Sequence, residues 1–125
     1  MARGSAIARL LDEARAGLDR VRPEHLAREI EDGALVVDIR PAEQRRRDGA
    51  LPGALAVDRN VLEWRLDPTS PDRLPEVGDP EQRVIVVCNE GYSSSLAAAT
   101  LQRLGLSRAT DLVGGYQLWR ATTTP

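Results

Sequence analysis

Hydrophobic residues occur along this chain in two alternating patterns. From residue 5 to residue 18 they recur three and four positions apart with charged residues between them, which predicts an amphipathic helix capped by Ser5. Short apolar runs have the continuous pattern of strands buried in a parallel sheet, and they lie at 35–38, 54–57, 84–87 and 109–113. Further helical patterns separate these runs, at 23–30, 42–47, 61–66, 93–104 and after Gly115.

This alternation predicts an α/β fold: an open, mainly parallel five-stranded sheet flanked by helices, with an extra N-terminal helix. The four runs above supply four of the strands, and the fifth is not assigned to a segment. The run at 84–87 is wholly apolar and β-branched, so it should be central in the sheet. Asn60 is expected to cap the helix at 61–66. We divide the chain into an N-terminal helix at 1–18 and a domain at 19–122, and we expect the helix to pack on the sheet edge or on a second subunit.

Length and charge narrow the range of functions. The chain has 125 residues, enough for one domain, and a net charge of −2, which disfavours a nucleic-acid partner. Neither a membrane span of about 20 apolar residues nor the apolar core of a signal sequence occurs, so we expect a cytoplasmic protein without membrane contact. All 17 basic residues are arginine, and Ala, Gly and Pro are frequent, which suggests a GC-rich bacterial genome.

The single cysteine, Cys88, has a position that indicates chemistry. It ends the most apolar strand, and ligands bind at the carboxyl ends of strands in open parallel sheets. Gly91 permits a tight turn before the next helix, so the N–H groups of the loop and the helix terminus should form a cradle for an anion. A sulfur in such a cradle should have a pKa below that of a free thiol.

Other roles for Cys88 are less well supported. A free cysteine is commonly a small buried packing residue, but packing does not require the loop and helix that follow this one. The single histidine, His25, is predicted to be an ordinary surface residue, so a Cys–His catalytic pair is not supported. One cysteine and one histidine do not supply a zinc site, and we expect neither a metal nor a cofactor.

Three motifs in order resemble those of single-domain rhodaneses, over residues 21–120. The first is V-D-I-R at 37–40, similar to the family's D-x-R at a strand end, followed by G-A-L-P-G-A at 49–54, similar to G-H-I-P-G-A. The second is the loop C-N-E-G-Y-S-S at 88–94, and the third is a Gly114–Gly115 pair shortly before Trp119. Each motif alone is weak, but the ordered set is specific.

The resemblance implies a rhodanese-like fold and a sulfurtransferase. In that family a cysteine takes sulfane sulfur from a donor such as thiosulfate, holds it as a persulfide, and passes it to cyanide or a thiol, with a protein acceptor as a further option. The site it implies has Cys88 as the nucleophile, Asp38 and Arg40 as supporting residues, and an anion-binding loop of Asn89, Glu90, Gly91, Tyr92, Ser93 and Ser94.

Two departures from the family pattern leave alternatives open. Ala50 replaces a usual histidine, and Ser93 stands where many members have Arg or Lys, so the preferred donor stays undecided. Cysteine phosphatases have a C-x5-R loop, and Ser94 occupies the position of that arginine, which disfavours phosphoryl transfer. A noncatalytic rhodanese-like module that binds a protein is the main alternative.

Overall fold

A parallel sheet of four strands forms the centre of the computed structural model, which describes residues 4–123. The strands are β1 (Leu35–Asp38), β2 (Ala54–Ala56), β3 (Val84–Val87) and β4 (Ala109–Asp111), in the order β2-β1-β3-β4. Val37 of β1 pairs with Val86 of β3, so the carboxyl ends of these two central strands lie side by side. All four residues of β3 are buried, as its continuous apolar run predicts.

The expected fifth strand is not confirmed, since the described residues form a sheet of four strands. The segment before Pro23 approaches β4 but forms only one parallel bridge, between Val21 and Leu112. The Val21 N–H donates to the Asp111 carbonyl at 2.9 Å, and the Val113 N–H donates to the Val21 carbonyl at 2.8 Å. Pro23 has no N–H and begins a 3₁₀ turn, so the pairing ends there.

Helices cover both faces of the sheet. They are α1 (Ala6–Ala16), α2 (Leu26–Glu31), α3 (Ala42–Asp48), α4 (Leu62–Leu66), α5 (Ser93–Arg103) and α6 (Gly115–Thr123). One buried cluster joins α4 and α5 to one face through residues such as Leu62 and Leu101, and a second joins α2 and α6 to the other through Leu26 and Tyr116. Within residues 4–123 no helix is both long and apolar enough to cross a bilayer.

Two local expectations change in the folded chain. Asp58, not Asn60, caps the fourth helical segment: its side chain accepts the Asn60 N–H at 2.8 Å and begins a 3₁₀ turn before α4. Asp58 precedes the turn in extended backbone, the conformation that an N-cap requires, whereas Asn60 is already inside it. The first helix packs against α5, which covers the sheet, rather than against a sheet edge.

Candidate active site

Cys88 lies directly after β3, at the carboxyl edge of the sheet, and its sulfur is the centre of a short loop. The residue is buried, with 7% of its surface exposed. Its Sγ accepts the N–H of Gly91 at 3.1 Å and the N–H of Ser94 at 3.4 Å. Gly91 has a φ of +87°, and a Cβ there would lie 2.7 Å from the Gly114 nitrogen. Glycine is therefore needed for the loop to turn its N–H groups onto the sulfur.

The environment of Cys88 favours the thiolate. Burial is the strongest single influence and acts to raise the pKa of the thiol, but hydrogen bonds from Ser94, Ser93 and Gly91 outweigh it and leave the pKa below its ordinary value. The Ser94 hydroxyl has one proton and also lies 2.7 Å from Oδ2 of Asp111, which competes for it. The backbone N–H groups of the loop have no such competitor, so they stabilise the thiolate continuously.

The Gly114–Gly115 pair places the start of α6 against the carbonyl side of the same loop. The Tyr116 N–H donates to the Cys88 carbonyl at 2.9 Å, and the Gln117 N–H donates to the Asn89 carbonyl at 3.1 Å. Gly115 has a φ of +62°, and a Cβ on it would meet the Cys88 carbonyl oxygen at 2.5 Å. The glycine pair thus allows α6 to bind the loop carbonyls, which leaves the loop N–H groups free to face the sulfur.

Asp38 and Arg40 form a buried ion pair, and Arg40 lines the same cleft as Cys88. The Arg40 guanidinium donates from Nη2 to Oδ2 of Asp38 at 2.8 Å and to the Gly49 carbonyl at 2.9 Å. Its carbon lies 3.7 Å from the ring centre of Tyr116. Nη1 of Arg40 is buried and has no hydrogen-bond partner among residues 4–123. Through these contacts the ion pair connects the end of β1, the turn after α3 and the start of α6, so three segments that are separate in sequence meet in one place.

The remaining loop residues have different surroundings. Glu90, Tyr92 and Ser93 are exposed, so the Glu90 carboxylate does not share the buried environment of the sulfur. Asn89 is half-buried, and its Oδ1 accepts from Nε2 of Gln117 at 3.0 Å. Ser94 is fully buried and its hydroxyl donates to Asp111. Residues 88–94 therefore contain no cationic side chain, and the N–H groups of Gly91 and Ser94 are directed at Sγ of Cys88.

A cleft of about 260 Å³ contains Cys88, and its lining includes Arg40, Gln44, Tyr92 and Ser93. A larger cleft of about 670 Å³ contains the exposed His25. That cleft lies at the amino ends of the strands, beside Ala34 and Arg83, whereas Sγ of Cys88 is at the carboxyl ends. Since Cys88 is the residue with distinctive chemistry, we take the smaller cleft as the candidate active site. Residues 4–123 contain no group of three or more His, Cys, Asp or Glu arranged to hold a metal.

Comparison with known families identifies this arrangement. The model of the rhodanese-like domain matches residues 22–122, which include all of the motifs described above. The chain belongs to the rhodanese-like family. Thiosulfate sulfurtransferase GlpE of Pseudomonas fluorescens SBW25 is 38% identical over 104 residues, which are 82% of this chain and 85% of that protein.

Solved structures extend the comparison with this rhodanese-like domain. A protein of unknown function from Rhodopseudomonas palustris, named as a possible tyrosine phosphatase, is 30% identical with a TM-score of 0.85, and covers 98% of this chain and 94% of its own. A rhodanese homologue from the extremely thermophilic bacterium Thermus thermophilus is 34% identical with a TM-score of 0.56, over 78% of this chain and 96% of its own. The Rhodopseudomonas structure covers the region of α1, which the family match leaves out.

Sequence reasoning missed part of the surroundings of the rhodanese-like loop. Asp111 is fully buried in β4 and accepts hydrogen bonds from both Ser94 and Ser95. A carboxylate in a predicted buried strand is unusual, and that was the available signal. Arg15 and Arg20 also contact the loop, but nothing in their local sequence distinguishes them from the other arginines of the chain.

Proposed function

We propose that this rhodanese-like protein is a sulfurtransferase that carries sulfur on Cys88. The observation that supports this most directly is the position of Sγ: it is buried at the carboxyl end of the central strand and accepts N–H groups from Gly91 and Ser94. Relatives named thiosulfate sulfurtransferase GlpE, at 33–38% identity, support the same activity and the same class of donor. The site residues and persulfide chemistry proposed here follow from the loop and that family membership.

The proposed reaction has two half-reactions. The Cys88 thiolate attacks the sulfane sulfur of thiosulfate, a new S–S bond forms, the donor S–S bond breaks, and sulfite leaves with the electron pair. An acceptor, cyanide or a thiolate, then attacks the outer sulfur of the persulfide. The Cys88 sulfur leaves as thiolate and the acceptor becomes thiocyanate or a new persulfide, so no cofactor or oxidant is consumed.

The residues around Cys88 would stabilise the anionic stages of this cycle. The thiolate carries its negative charge on Sγ, at which the N–H groups of Gly91 and Ser94 are directed, and the persulfide carries its charge on the outer sulfur, one bond farther out. Asp38 and Arg40 would act indirectly, because their ion pair holds Gly49 and packs on Tyr116 rather than touching Sγ. We propose small sulfur donors and acceptors as substrates, with a protein acceptor as a further option.

Phosphatase activity is a weaker proposal for this chain. The name of the Rhodopseudomonas structure raises it for that protein. Here the position six residues after the nucleophile is Ser94, whose hydroxyl donates to a buried carboxylate. No guanidinium is available at that position to bind the equatorial oxygens of a phosphoryl group. Cytoplasmic location, a bacterial source and the division into 1–18 and 19–122 remain predictions of the sequence.

Mass spectrometry tests the sulfurtransferase proposal directly. After incubation with thiosulfate and gel filtration, the intact chain should gain the mass of one sulfur atom, and cyanide should remove it as thiocyanate. Cys88→Ser should gain no sulfur, because the chain contains a single cysteine. If the wild-type chain alkylates at Cys88 but takes up no sulfur and produces no thiocyanate, the proposal is wrong and the protein-binding module is favoured.

A further inference from the structure

Two arginines from outside the cysteine loop bind the carbonyl oxygen of Gly91. Nη2 of Arg15, on α1, donates to this oxygen at 2.8 Å, and Nη2 of Arg20, in the segment after α1, donates to it at 3.0 Å. A carbonyl oxygen has two lone pairs and can accept both groups. The loop itself, residues 88–94, has Glu90 as its only charged side chain. The positive charge at this loop is therefore supplied by residues distant from it in sequence.

Each guanidinium is also held by a second group. Nε of Arg20 donates to Oδ1 of Asp111 at 2.8 Å, and the Asp111 carboxylate is fully buried. Nε of Arg15 donates to Oγ of Ser95 at 3.0 Å, and its guanidinium carbon lies 5.6 Å from the ring centre of Tyr92. Asp111 balances Arg20, but Arg15 has no carboxylate in contact within residues 4–123. Arg15, Arg20 and Asp111 together therefore carry a net positive charge beside the loop.

Binding of the Gly91 carbonyl restricts the orientation of the loop. The peptide bonds of the described chain are trans, so the N–H of Tyr92 points away from the oxygen that the arginines hold. The N–H of Gly91, at the other end of the same residue, donates to Sγ of Cys88. A glycine at positive φ has a freely adjustable backbone, and the two arginines would prevent its peptide groups from turning away from the sulfur.

We propose that Arg15 is a positioning residue that, with Arg20, clamps the Gly91 carbonyl and supplies positive charge to the cysteine loop. This makes α1 part of the active-site architecture, although it lies outside the family match at residues 22–122. The predicted effect of Arg15 on sulfur transfer rests on the proposed function. The predicted effect of Arg15 on the reactivity of the Cys88 thiol does not, because alkylation needs no sulfur donor.

The first test is the pH dependence of Cys88 alkylation by iodoacetamide, a neutral reagent, in the full-length chain. Arg15→Ala should move the midpoint upward by about half a pH unit or more, because the loop loses one of the two positively charged groups that hold its Gly91 carbonyl. Arg15→Lys should recover part of this shift, since it retains the charge and an N–H donor group but not the two separate nitrogens that bind Ser95 and Gly91. The matched control is Arg9→Ala, an exposed arginine of α1 that binds the Gly4 carbonyl and does not contact the loop.

Other charged groups near the loop are the same in all these variants. They are Asp38 and Arg40 at the end of β1, Glu90 in the loop, Arg20 before the bridge to β4, and Asp111 in β4. Differences among the midpoints therefore report residue 15. Circular dichroism should accompany each measurement, and Arg15→Gln replaces Arg15→Ala if the latter is unfolded at 25 °C.

The second test is sulfur loading from thiosulfate. Arg15→Ala should lower kcat/KM about tenfold, and Arg9→Ala should not. The proposal is overturned if the Arg15→Ala midpoint coincides with that of the wild type, if Arg9→Ala shifts equally, or if Arg15→Lys restores nothing. If the midpoint shifts as expected while the wild type takes up no sulfur, the clamp is supported and the proposed sulfurtransferase activity fails instead.

Discussion

At the scale of single residues, the chemistry of Cys88 follows from the balance between burial and hydrogen bonding. Burial in an apolar site alone would keep the sulfur protonated. The loop reverses this, because hydrogen bonds from Ser94, Ser93 and Gly91, among them the N–H groups of Ser94 and Gly91, favour the charged form and lower the pKa of the thiol. A buried cysteine without such donors would be inert.

We expect alkylation of Cys88 to reach half its maximal rate below about pH 8.5, the ordinary value for a cysteine thiol. The thiolate is the reactive form, so a lowered pKa moves the rise in rate to lower pH. The same chain unfolded in denaturant is the control, since Cys88 is its single cysteine and should then regain the ordinary midpoint. Equal midpoints in the folded and unfolded chain would contradict the loop's role.

The same shift predicts how Cys88 affects stability. Because its pKa is lower in the folded chain, its contribution to the free energy of unfolding is complete above the unfolded-state pKa. That contribution is lost as the pH falls through the folded-state pKa.

At the scale of elements, the loop at 88–94 lies between two helices, one of which donates to Sγ of Cys88 and the other to the loop carbonyls. α5 begins within the loop and directs the Ser94 N–H toward Sγ. α6 begins at Gly115 and donates its first N–H groups to the carbonyls of Cys88 and Asn89. The loop conformation therefore depends on how closely α6 approaches, which the Gly114–Gly115 pair permits.

Gly115→Ala should destabilise the chain more than a comparable substitution elsewhere, because its Cβ would lie 2.5 Å from the Cys88 carbonyl oxygen. Gly33→Ala is the matched control: Gly33 also has positive φ, +98°, but a Cβ there meets nothing within 4 Å. We expect Gly115→Ala to lower the free energy of unfolding in urea by about 2 kcal/mol more than Gly33→Ala does. Equal losses would show that the close approach is not a constraint.

At the scale of the whole molecule, segments far apart in sequence converge on one buried ion pair. Asp38 ends β1, Arg40 lies two residues later, Gly49 directly follows α3, and Tyr116 lies in α6. Arg40 contacts all three other residues, and its side chain is fully buried. Such a cation is stable in the interior only while its carboxylate partner is present, because an unpaired buried charge is costly.

Asp38→Asn should therefore lower the free energy of unfolding by about 3 kcal/mol, since it leaves the Arg40 charge buried without its counterion. Asp32→Asn is the matched control, because Asp32 pairs with Arg28 on the surface and both side chains are largely exposed. That variant should unfold at nearly the wild-type urea concentration. A loss no larger for Asp38→Asn than for Asp32→Asn would show that the buried pair does not secure the fold.

The sequence by itself determined the class of fold and pointed to the cysteine that we propose as the nucleophile. Continuous apolar runs and helical periodicity depend on local burial patterns, so they predicted the four observed strands and the positions of the helices. The loop after Cys88 could be predicted because its length, its glycine and its place at a strand end are local features. The expected fifth strand is not confirmed; the one further pairing is a bridge at Val21, which ends at Pro23.

The tertiary structure decided which residues distant in sequence contact the loop after Cys88. Arg15, Arg20 and Asp111 meet at the loop only because α1 packs on α5 and because Val21 pairs beside β4. None of these three residues has a local pattern that distinguishes it as part of a site, apart from the burial of a carboxylate in β4. The hydrogen bonds of Arg15 and Arg20 join residues more than 70 positions apart. They depend on how the elements pack together, which the local spacing of apolar residues does not predict.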